Sequence, residues 1–119
     1  MKKNLVLAVL VLFGLAQEAI ANEVYYAKIG HNDKINSYGE RLGSVADILR
    51  QDRANYHKFF VRDREDSDDR FFAYPDNRAR MASMLRNGYI SREARDAITY
   101  GNPVVRVTIS DYRIEVELY

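Results

Sequence analysis

Apolar and polar positions alternate most sharply at the C-terminal end. Over Val104–Tyr119 apolar side chains stand at 105, 107 and 109 and then change phase to 112, 114, 116 and 118. Two half-buried strands joined by a two-residue turn leave this pattern. A turn at Ser110-Asp111 sets Ile109 opposite Tyr112, Val107 opposite Ile114 and Val105 opposite Val116 on one face. On the other face it sets Arg106 opposite Glu115, where unlike charges attract across the ladder. Glu23–Ile29 (EVYYAKI) is aromatic and β-branched enough to predict a first strand, and Gly30–Gly43 an irregular connection.

Helical spacing lies between these strands. Ser44 followed by Asp47 has the spacing of a capping box, with an acid in the first turn, where it meets the positive end of the helix. Val45, Ile48, Leu49, Tyr56 and then Phe59 or Phe60 fall near one face, while Arg50, Gln51 and Arg53 point elsewhere. Pro75-Asp76 opens a second helix with Met81, Ala82, Met84 and Leu85 as its apolar members, and Asn87-Gly88 stops it as a left-handed cap would. Ser91 caps a third helix, Arg92–Tyr100, closed by Gly101 and fixed by Pro103. Phe59-Phe60-Val61 and Phe71-Phe72-Ala73 flank the charged segment Arg62–Arg70 (RDREDSDDR). They read most simply as two short strands joined by a solvated loop, the alternative being that the first extends the preceding helix. The expected class is α+β: a small antiparallel sheet with a C-terminal β-hairpin, packed on one face by two or three helices.

Within Ile90–Leu118, Ile-Ser-x-Glu-Ala opens a helix and Val-Val-Arg-Val-Thr-Ile and Arg-Ile-Glu-Val-Glu-Leu form the hairpin. This stretch, about a quarter of the chain, resembles the helix-then-hairpin of PepSY-type secreted domains. The glycine-marked second hairpin of those domains does not follow, and the resemblance implies no function.

The N-terminus has a different texture. Lys2 and Lys3 precede an apolar run from Leu5 to Ala16, followed by Gln17-Glu18 and the small-residue site Ala19-Ile20-Ala21. That order predicts a secretory signal peptide over residues 1–21, cleaved after Ala21, with a single α+β domain over 22–119. Leu5–Ala16 is too short for the roughly 20 apolar residues of a membrane-spanning helix. With no cysteine in the chain, lipid anchoring through a thioether, a disulfide framework and a thiolate nucleophile are all excluded. A periplasmic or secreted location is expected.

Charge adds little steering. Taking Lys2, Lys3 and Glu18 away from the 18 basic and 17 acidic residues leaves 16 of each, so the exported body is formally neutral. Thirteen of its cations are arginine, which forks onto carboxylates and stacks on rings. Neutrality argues against nucleic acid, because phosphate binding needs a net basic face. Arginine and tyrosine together are instead what protein interfaces favour. Tyr25 or Tyr26, Tyr56 and Tyr112 are expected to line the core.

Catalytic patterns are sparse. His31 and His57 are the only histidines, and Ser37 with His31 and Asp33, or Ser44 with His57, can be assembled as candidate hydrolytic sets. No nucleophile elbow, HExxH motif or phosphate-cradling glycine loop accompanies them. Asp63, Glu65, Asp66, Asp68 and Asp69 offer hard oxygens suited to calcium, but without the ligand alternation, glycine and closing glutamate of an EF-hand loop. No cofactor, metal or catalytic residue is therefore assigned. The expectation is a non-catalytic exported protein that binds a protein partner in the cell envelope. Its contacts are placed on the loop residues Arg62, Arg64, Asp66, Asp68 and Arg70, with a calcium-dependent module or a small hydrolase using His31 or His57 as alternatives.

Overall fold

The computed structural model describes residues 22–119; the signal peptide expected over residues 1–21 lies outside them. Strand β1 (Glu23–Lys28) is followed by a 3-10 turn (His31–Asp33), helix α1 (Val45–His57), a second 3-10 turn (Phe71–Ala73) and helices α2 (Pro75–Arg78) and α3 (Met81–Asn87). Strand β2 (Tyr89–Ile90), helix α4 (Arg92–Tyr100) and strands β3 (Val104–Ser110) and β4 (Arg113–Leu118) complete the order. The sheet runs β1-β3-β4-β2. The first two pairings are antiparallel, and the two-residue β2 lies parallel to β4, so the α+β fold has a mixed sheet.

Period-two patterning decides which face is buried. Tyr25, Ala27, Val105, Val107, Ile109, Ile114 and Val116 all turn inward, joined from the helices by Ile48, Leu49, Met81, Met84 and Ile98. Helices α3 and α4 pack on β4, and α1 packs on both of them. The side-chain caps expected at Ser44 and Ser91 are present: each hydroxyl accepts a backbone N–H, from Asp47 and Ala94, at 3.1 Å.

The hairpin forms two residues out of the expected register. Its tip is Asp111-Tyr112, so Ile109 lies opposite Ile114, Val107 opposite Val116, Val105 opposite Leu118 and Arg106 opposite Glu117. A two-residue shift keeps every side chain on its face, which is why the pattern alone does not detect it. Tyr112 moves from an expected core position to an exposed turn with φ of 57°. The Asn87 side chain holds the turn there, donating to the Tyr112 carbonyl at 3.1 Å. Arg106 consequently bonds Glu117 at 3.0 Å, and Glu115 faces Thr108.

Three other expectations are corrected. The helix expected from Pro75 is two helices, α2 and α3, broken where Arg78 turns inward and its Nη1 donates to the carbonyls of Phe72 and Ala73. Gly88 ends α3 with a negative φ, so handedness is not what it supplies. A Cβ there would stand 1.8 Å from the Ile114 carbonyl oxygen, and close approach to β4 is what demands glycine. Neither aromatic triplet is a strand. Positive φ at Phe60 breaks the first, and carboxylates of Glu23 and Asp69 take the N–H groups of Phe71 and Phe72 that a neighbouring strand would have needed.

Candidate interaction surface

Helix α1 supplies the polar centre on which the rest is mounted. Its Arg53, read from the sequence as pointing away from the apolar face, is fully buried. The guanidinium lies between the rings of Tyr25, at 4.0 Å, and Tyr56, at 4.5 Å. Its Nε donates to Asp52 at 2.9 Å, and Nη1 donates to Asp69 at 2.8 Å and to the Ser67 carbonyl at 3.1 Å. Asp69 in turn accepts the Phe72 N–H at 2.6 Å, and its other oxygen lies 2.8 Å from Nε2 of His57. The signal for Arg53 was available: it stands four residues after Leu49 and three before Tyr56, on the buried stripe.

Burial sets the ionisation of this centre. It raises the Asp52 carboxyl to about 8, with Arg53 opposing, and drives the Tyr25 phenol well above its ordinary value. Burial also raises Asp33, whose carboxylate accepts from the Gly30 N–H and from Asn55 Nδ2, both at 2.9 Å. Asn55, held by Gln51 at 2.9 Å, thereby ties α1 to the turn that follows β1. These groups fasten the heart of the molecule, where the Tyr25 hydroxyl and Nη2 of Arg53 are buried without a hydrogen-bond partner among the described residues.

The charged segment Arg62–Arg70 is laid along the outer edge of β1. Ser67 exchanges bonds with Tyr26, its N–H donating to the Tyr26 carbonyl at 2.9 Å and its hydroxyl accepting the Tyr26 N–H at 2.7 Å. Asp66 is half-buried; one carboxylate oxygen accepts the Lys28 N–H at 2.7 Å and the other the Asp63 N–H at 2.8 Å. Asp68 is exposed and accepts the Asp69 N–H at 3.0 Å. The Arg70 N–H donates to Glu23, leaving its side chain exposed. Exposed Arg62 donates from Nε to the Tyr56 carbonyl at 3.1 Å, with its guanidinium 4.1 Å from the Tyr56 ring and 5.2 Å from that of Phe60. Arg64 is exposed, and among the described residues none of Arg62, Arg64 and Arg70 makes an ion pair. Of the five residues singled out from sequence, Asp66 holds the segment in place while Arg62, Arg64, Asp68 and Arg70 face solvent.

The hydrolytic sets are not brought together. Ser44 caps the start of α1 and His57 is its last residue, about 20 Å away at 1.5 Å per residue. Asp33 turns inward to Asn55 and His31 is exposed. Among the described residues, no group of three or more carboxylates or imidazoles is gathered to hold a metal ion, and no helix is long and apolar enough to cross a membrane.

Sequence reading missed a run of three consecutive exposed apolar residues. Phe59, Phe60 and Val61 are 50%, 71% and 50% exposed. Phe60 adopts φ of 57°, a left-handed conformation that costs a bulky residue about 1 kcal/mol or more. The Val61 N–H, donating to the Asn55 carbonyl at 2.8 Å, locks that bend and lifts the Phe60 ring off the body. Beside this ridge, a cleft of about 380 Å³ opens between α1, the connection before it and the start of α2. Compared with family models, curated proteins and solved structures, the chain matches none of them.

Proposed function

We propose that this is a small exported bacterial protein, periplasmic or secreted, that acts without catalysis by binding a protein partner in the cell envelope as an inhibitor, immunity or accessory factor. The ridge Phe59–Val61 carries the reading: three consecutive apolar residues held out in solvent by a strained bend are of no use to the core. Arg62 follows the ridge directly and lies against the Phe60 ring, and the exposed guanidinium groups of Arg62, Arg64 and Arg70, none of them in an ion pair among the described residues, supply the forked donors that interfaces favour. The N-terminal pattern of the sequence supports export.

Cross-linking in cells that make the protein, followed by mass spectrometry, tests it. A discrete envelope protein is expected to be captured by the parent chain and at least tenfold less by Phe59→Ser/Phe60→Ser, with Arg62→Glu/Arg64→Glu intermediate. Equal capture by all three forms removes this surface from the reading, and recovery of the chain from the cytosol with residues 1–21 attached removes export.

A further inference from the structure

The cleft beside the ridge is charged in one sense. Arg50, Lys58 and Arg78 line it against a single carboxylate, that of Asp47. Arg78 is 6% exposed, and only its Nη1 is used, on the carbonyls of Phe72 and Ala73. Among the described residues Nε and Nη2 of Arg78 have no acceptor, and Arg50 and Lys58 have no ionic partner. Burial and the neighbouring Arg50 lower the pKa of Arg78, with Asp69 opposing. Leu42, Ala54, Phe59 and Pro75 give it apolar wall, and the uncharged polar side chains of Ser37 and Gln51 complete the lining. At about 380 Å³ it falls near the lower end of the range that holds small ligands, about 300–1,000 Å³.

We propose that this cleft receives an acidic side chain of the partner protein, flanked in the partner's sequence by apolar residues, with the carboxylate seated among Arg50, Lys58 and Arg78. The inference rests on the partner-binding reading above and gives its chemistry. A carboxylate accepts two parallel N–H donors from a guanidinium fork, and the free edge of Arg78 offers such a fork at the floor of the cleft. Flanking apolar residues meet Leu42 and Pro75 on one side and Phe59 on the other, and Phe59 belongs to the exposed ridge as well as to the cleft wall. Cleft and ridge thus form one continuous surface. A free phosphate ion would satisfy the cations and leave the apolar walls unused.

The test is a nuclear magnetic resonance titration of the 15N-labelled protein. The probes are acetyl-leucyl-glutamyl-phenylalanine amide, its glutaminyl twin, and inorganic phosphate. The glutamyl peptide is expected to shift the amides of Arg50, Ala54, Lys58 and Arg78 saturably, with the glutaminyl twin binding at least tenfold more weakly. Arg50→Gln/Lys58→Gln, both at exposed positions, should abolish the shifts and leave the melting curve unchanged. Equal binding of the two peptides, no shift at millimolar peptide, or phosphate acting as strongly as the glutamyl peptide would each overturn the proposal. Peptide failure alongside ridge-dependent capture of a partner sinks this inference alone. Saturable glutamyl binding without partner capture upholds the cleft chemistry and sinks the functional reading.

Discussion

Replacing Arg53 by methionine keeps an unbranched side chain in the core and removes its charge. Three hydrogen bonds go with it, to Asp52, Asp69 and the Ser67 carbonyl, together with the contacts to the rings of Tyr25 and Tyr56. Breaking a buried ion pair from one side costs about 3–5 kcal/mol, because the other charge stays behind without its partner. Here the lower end applies. Asp52, with its carboxyl raised to about 8, already holds its proton at neutral pH and leaves no bare charge behind, and Asp69 keeps the Phe72 N–H and His57. Adding about 1 kcal/mol for the lost ring contacts gives a total of about 4 kcal/mol. In a domain of this size that lowers Tm by roughly 15–30 °C. Urea unfolding followed by tyrosine fluorescence and far-ultraviolet circular dichroism measures it, and the slope m should be unchanged. Arg53→Lys should recover less than half of the loss, since an ammonium cannot fork onto both carboxylates. A loss under about 1 kcal/mol for Arg53→Met, or full recovery by lysine, refutes the account of this centre.

Gly88→Ala should cost about 2 kcal/mol or more, since its Cβ would sit 1.8 Å from a carbonyl oxygen of β4, whereas Gly101→Ala, at 3.1 Å from Ala97, should cost far less; paired thermal melts compare them. The raised Asp52 carboxyl means that between about pH 4 and 8 the folded protein holds a proton that the unfolded chain has released, with Asp33 shifted in the same direction. Stability due to Asp52 is therefore full below about pH 4 and declines as pH rises to about 8, by up to about 1.4 kcal/mol per unit, and Asp52→Asn should flatten that decline in melts across the range. Phe60→Gly relieves the left-handed strain and frees the unfolded chain by similar amounts, so stability should change by less than about 1 kcal/mol while partner capture falls at least tenfold. A glycine variant that captures as well as the parent would show that the ring is not what the partner meets.

The features legible in the sequence were those written in neighbouring residues. Strand phase at Val105–Ile109 and Ile114–Val116, and the caps at Ser44 and Ser91, each need only a few positions to declare themselves. The hairpin register was lost because the tip is chosen by Asn87, 25 residues from Tyr112 in the chain. The charged segment was legible as exposed and unreadable as an edge strap, since Asp66 and Ser67 find their partners 38 and 41 residues away. Arg53 is misplaced because residue type outweighs spacing in that reading, although its position on the stripe is sound. Phe59–Val61 read as strand on composition, and only the backbone bend at Phe60 turns those residues outward.

The strap along β1 has a further consequence. By occupying the outer N–H groups of Tyr26 and Lys28, Asp66 and Ser67 deny that flank to extended segments of other molecules, which would otherwise add themselves strand by strand. A protease nick between Arg64 and Glu65 would loosen this guard and leave the hydrophobic interior intact, so the damaged protein would be expected to polymerise before it unfolds. On this reasoning the segment proposed to face a partner would also guard the molecule against self-association.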